Sequence, residues 1–209
     1  MKDQHKLFLV RAGANGEDED YVLENNLAII GFREFDSLEG MQDYDSVVAE
    51  VRRKAPELKP RAAGNVAGQL WTFAMGMKEG DTVVLPRKLT SQVAFGKVTG
   101  PYEFRKIGDE FRHVRPVKWL RPDVPRTAFQ QDLLFSFGAF LTVCNISRND
   151  AERRVAAVLN GKPDPGPTMA ADAGTKHSTV LNDSQSSTAT PRQYRAAIAT
   201  RRTPLDRRP

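Results

Sequence analysis

The residues best suited to chemistry in this 209-residue chain are aromatic and amide side chains in its central third. Trp71 and Trp119 each have polar or basic neighbours, and Asn65 stands four residues before Gln69. On a helix, that spacing places both amides on one face. Aromatic rings stack on exposed bases, and amides pair with base edges as donor and acceptor. This combination is typical of a nucleic-acid-binding site.

Each of these residues also has a purely structural interpretation. Aromatic side chains belong to hydrophobic cores more often than to binding sites, and Phe95, within an apolar run, is expected in the core. Asn65 is equally consistent with an ordinary helix N-cap. Ser91 and Gln92 open a predicted strand after the basic turn Arg87-Lys88.

Charge is divided unevenly along the chain, which has a formal net charge of +5. Residues 1–57 hold 7 Lys/Arg and 13 Asp/Glu, whereas residues 58–126 hold 13 and 6. A basic central segment could give the fold a basic face, and basic side chains supply phosphate contacts. The side chains that we select as phosphate-contact candidates are Arg11, Arg87, Lys88, Lys97, Arg105, Arg115, Lys118 and Arg121.

The patterns of common catalytic and metal sites are missing from the sequence. The three histidines lie far apart and have no second ligand at metal-binding spacing. No Gly-x-Ser-x-Gly elbow and no phosphate-binding Gly-Lys-Ser/Thr loop occurs. The single cysteine, Cys144, lies among small and apolar residues and is expected to pack as a hydrophobe. We therefore expect no metal, no cofactor and no catalytic residue in this chain.

A metal-dependent nuclease is the one enzyme class for which fragments of a motif exist. Such enzymes place an Asp upstream of Glu-x-Lys on a strand, where the carboxylates bind a divalent cation. Glu57-Leu58-Lys59 has the required residues, but Pro56 and Pro60 flank it and exclude a regular strand. The acidic run from Glu17 to Asp20 is more typical of a solvated face than of a cation site.

Nothing in the sequence indicates a membrane segment. No apolar run reaches the 18 or more residues that a transmembrane helix needs, and the four apolar residues from Leu7 to Val10 are too few for a signal peptide. A single cysteine cannot form an intrachain disulfide. The expected location is the cytoplasm.

The hydrophobic pattern ends near residue 160, which predicts a folded domain over residues 1–160 and a disordered basic tail over residues 161–209. The tail is either a nucleic-acid-binding arm or a linker that binds nothing specific. Helical spacing covers residues 45–54, 65–77 and 149–159, and residues 121–125 are expected to be irregular because of their prolines. Short strands with frequent turns indicate an α+β fold built on a small β-barrel.

A series of short motifs runs through residues 6–159. Its members are Leu7–Gly13, Ala28–Phe32, Asn65–Trp71 with Phe73, Glu79–Pro86, Ala94–Tyr102, His113–Trp119 and Asp132–Phe140. In this order, the series resembles the N-terminal PUA/EVE-like DNA-recognition domain of Mrr-like restriction endonucleases. The resemblance implies a mixed or antiparallel PUA/EVE-like β-barrel with flanking helices.

The same resemblance implies a function and a site. It implies a module that binds DNA in a restriction-modification type of defence system and reads a modified base, which is flipped into an aromatic-walled pocket. The residues that it implies for the pocket are Phe32, Asn65, Trp71, Ser91 and Trp119. The catalytic domain that follows in such endonucleases is missing here, so the expected partners are DNA and a separate nuclease subunit or domain.

Three alternatives remain open at this point, and one of them is an interaction protein that binds no nucleic acid, with the charge of residues 58–126 scattered over its surface. PUA-like barrels also bind RNA, so an RNA-binding protein fits the same patterns. The chain is also consistent with a subunit or a truncated form of an Mg²⁺-dependent restriction nuclease.

Overall fold

Short β-branched and aromatic runs form a curled, half-barrel sheet of seven strands in the part of the chain that the structure describes. The structure is a computed structural model, and it describes residues 5–168. The strands are β1 (Leu7–Val10), β2 (Leu27–Ile30), β3 (Thr82–Pro86), β4 (Gln92–Val98), β5 (Glu103–Ile107), β6 (Glu110–Pro125) and β7 (Val143–Asn145). Their order is β2-β6-β4-β3-β1-β7, and β5 pairs with β6 beside this path.

Five α-helices surround this sheet within residues 5–168. They are α1 (Glu19–Glu24), α2 (Tyr44–Lys54), α3 (Pro60–Trp71), α4 (Gln131–Phe137) and α5 (Ala151–Leu159). A π-helical turn over Thr72–Gly76 continues α3, and a 3₁₀ turn over Arg126–Ala128 precedes α4. The expected α+β class is confirmed. None of the helices between residues 5 and 168 has the length and apolar character needed to cross a membrane.

Strand direction determines which loops meet at the same end of the strands. β1 and β3 are parallel neighbours, and their antiparallel partners β7 and β4 run in the opposite direction. Three segments therefore lie at the same end of the strands: the loop after β1, the loop between β3 and β4, and the segment before β7. The buried carboxylate of Glu19 joins two of these loops, because it accepts a hydrogen bond from the Lys88 backbone N–H.

The apolar side chains of the central strands alternate between two clusters. Val84 and Phe95 pack with α4 and α5 on one face of the sheet, in a cluster with Leu133, Phe137 and Val155. Leu85 and Ala94 point to the other face, where Val22 of α1 packs. This period of two is what a sheet covered by helices on both faces requires.

β6 continues through the residues that we expected to be irregular, so that expectation is wrong. Val124 pairs with Val93, and Arg121 pairs with Phe95. Between these two pairs the register shifts, so Pro122 lies in a bulge and no partner strand needs the N–H that proline lacks. The bulge therefore lets this strand of 16 residues continue through Pro122.

The segment after α5 packs onto the domain, and the compact unit extends to Thr168. Arg154 has no solvent exposure, and its guanidinium donates to both carboxylate oxygens of Asp132 and of Asp164 at 2.6–3.0 Å. Asp164 also accepts from the Gln130 backbone N–H at 2.9 Å. Residues 161–168 of the predicted tail therefore belong to this unit. The rest of that tail, residues 169–209, lies outside the described residues.

Arg154→Met should lower the free energy of unfolding by about 3–5 kcal/mol at pH 7, because it leaves the Asp164 carboxylate without its buried partner. Urea denaturation at equilibrium measures this change. Arg52→Ala is the matched control, since Arg52 is exposed on α2 and should change stability by less than about 0.5 kcal/mol.

The same variant has a pH signature. Hydrogen bonds from Arg154 lower the pKa of Asp164 from 3.8 to about 2. A carboxylate with a lowered pKa in the folded state stabilises the protein above pH 4, and this contribution is lost as the pH falls towards 2. The wild-type protein should therefore lose more stability across that interval than Arg154→Met, and equal losses would contradict the assignment.

Candidate functional site

The exposed side of α3 carries two of the predicted pocket residues, Asn65 and Trp71. The Trp71 ring is half-buried and stands edge-on to the ring of Tyr44, with centroids 6.5 Å apart and an interplanar angle of 83°. The Tyr44 hydroxyl donates to the Gly64 carbonyl at 2.9 Å, which holds α2 against α3. Beside these rings, a Cβ built on Gly68 would meet no atom within 4 Å. The two aromatic rings therefore form a corner over an open stretch of helix.

The amide of Asn65 is oriented by a hydrogen-bond network. The Oε1 atom of buried Gln69 accepts from the backbone N–H groups of Thr142 and Val143, at 2.7 and 3.2 Å. The Gln69 amide nitrogen must then be the group that donates to Asn65 Oδ1, at 2.8 Å. This leaves the Nδ2 donor of exposed Asn65 facing outward. Because α3 begins at Pro60, Asn65 is not its N-cap.

Trp119 lies elsewhere and has a structural role. Its indole N–H donates to the Val22 carbonyl at 2.9 Å, and its ring packs against the cluster beneath α1. The small apolar cavity that it lines with Val10 and Leu85 has no room for a water molecule. Trp119 therefore ties β6 to α1 and does not share a pocket with Trp71.

Phe32 and Ser91 lie near opposite ends of β6. The Phe32 carbonyl contacts His113, near the start of β6, whereas Ser91 is exposed beside Arg126, just past its end. His113 and Pro125 are twelve positions apart in this extended strand, which corresponds to about 40 Å along the chain. The five predicted pocket residues thus do not converge, and only Asn65 and Trp71 share one surface.

Phe32 belongs to a buried polar contact. His113 Nε2 lies 3.1 Å from the Phe32 carbonyl and must carry the proton, since a carbonyl only accepts. His113 Nδ1 therefore accepts from the Tyr102 hydroxyl at 2.7 Å. Burial lowers the pKa of His113 to about 4 and raises the pKa of Tyr102 to about 12, so both side chains are neutral at pH 7.

Most of the predicted phosphate contacts hold the fold together. Arg115 is buried and donates to the carbonyls of Phe73, Ala74 and Gly100 at 2.6–3.1 Å. Arg11 donates to the Ala139 carbonyl at 2.6 Å. The others with partners are Arg87 with Glu19 and Asp20, Lys88 with the Ala14 carbonyl, Lys97 with Gly80 and Thr82, and Arg105 with Glu103.

The exposed cations include two of the predicted phosphate contacts, Lys118 and Arg121, and two residues at the start of α3. Lys118 lies on β6, and Arg121 stands 3.6 Å from Asp123 in a loose ion pair. Sequence reasoning missed the other two, Lys59 and Arg61, which are exposed at the start of α3 without an ionic partner among residues 5–168. Arg61 precedes Asn65 by four residues and so lies on the same side of the helix. The spacing of four residues between Arg61 and Asn65 could have identified Arg61 as a candidate from the sequence.

The fragments of a nuclease motif do not form a site in the described residues. Glu57 lies in the turn between α2 and α3, and Lys59 is the N-cap of α3. The acidic run enters α1, where the Asp18 carboxylate binds Arg112 at 2.6 Å. Within residues 5–168, no group of three or more His, Cys, Asp or Glu side chains is placed to hold a metal ion.

Residues 6–135 match the family model described as Domain of unknown function (DUF8426). The chain belongs to the DUF8426 family. The matched span contains α3 with Asn65 and Trp71, and it ends within α4. No curated protein and no solved structure matches the chain. The DUF8426 description assigns no activity, so a function must be argued from the residues themselves.

The buried His113 should make the stability of this DUF8426 chain depend on pH. Its pKa is about 4 when folded and 6.5 in the unfolded reference, so the unfolded chain takes up the proton first as the pH falls. Stability should therefore decrease from pH 6.5 to pH 4, by at most about 1.4 kcal/mol per pH unit. Denaturant unfolding at several pH values measures this slope.

His113→Gln removes the titrating group and should flatten the slope in that interval. His5→Gln is the matched control, because His5 is exposed and its replacement should leave the wild-type slope. A slope that survives in His113→Gln would show that another group is responsible.

Proposed function

We propose that this chain is a DNA-recognition module that binds a flipped, modified base at the α3 surface, defined as Tyr44, Arg61, Asn65, Gly68 and Trp71. The observation that carries the proposal is the half-buried Trp71 ring beside Tyr44, on the same helix as the exposed amide of Asn65. Stacking on an aromatic ring is worth about 1–3 kcal/mol per base. An amide donor adds discrimination by hydrogen bonding to the edge of the base.

The open helix surface supports this assignment physically. Gly64 and Gly68 follow each other at the spacing of one helical turn and carry no side chains, so a planar group can approach the backbone between Arg61 and Trp71. Trp71 and Tyr44 are nearly perpendicular. A base that stacks on one ring would meet the edge of the other ring, which limits its orientation.

The sequence resemblance supports the biological setting of the proposal. The recognition domains of Mrr-like restriction endonucleases, with a PUA/EVE-like fold, deliver DNA to a nuclease, and the motif series in this chain resembles theirs. We accordingly propose a role in a restriction-type defence system in the cytoplasm, together with a nuclease centre in another chain or domain.

Binding of a modified base should depend on Trp71. We expect Trp71→Ala to weaken binding of a duplex with a modified base by about tenfold or more, because stacking is lost. Fluorescence anisotropy with duplexes that carry 5-methylcytosine, 5-hydroxymethylcytosine or N6-methyladenine measures this effect against the unmodified duplex. Phe111→Ala is the control, since Phe111 is exposed in the β5–β6 hairpin, away from α3.

Two outcomes would reject this function. Equal affinity for all modified and unmodified duplexes at several salt concentrations would reject base reading. Preference for RNA in a competition between matched RNA and DNA oligonucleotides would favour the RNA-binding alternative instead.

The salt dependence of DNA binding should identify Lys59 and Arg61 as the phosphate contacts. Each neutralised phosphate contributes about 0.9 to the slope of log K against log salt. The double variant Lys59→Gln/Arg61→Gln should therefore reduce the slope by about 2. The control Lys78→Gln changes an exposed lysine outside the α3 surface and should leave the slope as in the wild type. An unchanged slope in the double variant would place the phosphates elsewhere.

A further inference from the structure

A groove of about 520 Å³ lies between α4 and β7, at the edge of the sheet. Phe135, Ser136 and Ala139 line it from one side, and residues 144–149 line it from the other. Phe135 is 71% exposed, and Phe140, next to the groove residue Ala139, is 82% exposed. No other large apolar side chain among residues 5–168 is as exposed as these two. An apolar concentration of this kind marks an interaction site.

The backbone beside the groove is ready to pair with another strand. Two hydrogen bonds, Arg11 N–H to the Thr142 carbonyl and Ile146 N–H to the Leu7 carbonyl, fix the register of β7 against β1. In an antiparallel pair the direction of these groups alternates, so the N–H and C=O of Asn145 point away from β1. No strand among the described residues pairs with that side of β7. Asn145 thus offers one unpaired donor and one unpaired acceptor.

The groove lies on the face of β7 towards which every second side chain of an added strand would point. Cys144 and Ile146 pack against the cluster under α4 and α5, on the opposite face from Asn145. Every second side chain of a strand paired with Asn145 would share the face of Cys144 and Ile146. Those side chains would enter the groove opposite Phe135.

Charge determines what else the occupant should carry. The groove contains two charged side chains, Asp132 and Arg148. Both Asp132 oxygens accept from Arg154, at 2.6 and 3.0 Å, and the same guanidinium also binds Asp164. Arg148 is exposed and has no ionic partner among residues 5–168. Arg148 is therefore the charged group of the groove that is available to an anionic ligand.

We propose that the edge of β7 binds an extended peptide segment of a partner protein by strand addition. The peptide pairs its backbone with Asn145, places apolar side chains in the groove beside Phe135, and presents a carboxylate to Arg148. This mode obtains affinity from main-chain hydrogen bonds and selectivity from the groove. It uses a surface distinct from α3 and requires no nucleic acid.

The probe is an array of tethered nonapeptides with Leu, Ile, Val or Phe at alternate positions and either Glu or Gln at one end. We expect the wild-type chain to bind a subset of these peptides and to prefer Glu over Gln. Asn145→Pro should reduce that binding at least tenfold, because proline lacks the outward N–H. The hydrogen bonds between β7 and β1 do not involve this N–H and are kept. Asn145→Ala, which keeps the N–H, is the matched control and should bind as the wild type does.

Two further variants test the groove itself. Phe135→Ala should weaken binding about tenfold, and Arg148→Glu should abolish or reverse the preference for Glu over Gln. N-methylation of the peptide residue that pairs with Asn145 should abolish binding to the wild-type chain, which tests strand addition without altering the fold.

The proposal fails if no peptide of the array binds the wild-type chain. It also fails if Asn145→Pro binds like Asn145→Ala, or if the N-methylated peptide binds like its parent. Trp71→Ala should leave peptide binding unchanged, so failure here and failure of the proposed DNA recognition are separate results.

Discussion

The pairing of β6 with three other strands is the constraint on which the rest of the fold depends. Its first residues pair with β2 and β5, and the remainder pairs with β4. Three of its polar side chains also donate to main-chain carbonyls of distant segments: His113 to Phe32, Arg115 to the π-helical turn, and Trp119 to α1. Buried donors are costly unless they are paired, so each of these bonds fixes the segment that supplies the acceptor. The end of α3, and with it Trp71, is positioned in this way.

Gln69 links the two surfaces for which we propose functions. Its amide nitrogen orients Asn65 on α3, and its carbonyl oxygen accepts from Thr142 and Val143 at the start of β7. The same side chain therefore covers the first part of the β7 edge and leaves the part at Asn145 open. The buried amide therefore fixes the position of Asn65 relative to the start of β7.

Several arginines in the described part of the chain act as internal donors. Arg115 and Arg154 are buried, and Arg11 holds the segment before β7 through the Ala139 carbonyl. A guanidinium supplies several donors in a rigid plane, so one side chain can satisfy several acceptors at once. For this reason several basic residues of the central segment, among them Arg115 and Lys97, are bound to main-chain carbonyls of the fold. Other cations are exposed, and two of them, Lys59 and Arg61, lie at the start of α3.

The sequence by itself determined the α+β class, the positions of most strands and helices, and the placement of Asn65 and Gln69 on one helix at a spacing of four residues. These features depend on local periodicity and turn chemistry, which are readable from neighbouring residues. Tertiary structure alone decided that Trp119 is held under α1, that Phe32 and Ser91 lie far apart, and that β6 passes through Pro122 at a bulge. It also decided which cations are free and which edge of the sheet is open. Those outcomes depend on contacts between residues distant in sequence, where a buried donor finds its acceptor only after the strands have paired.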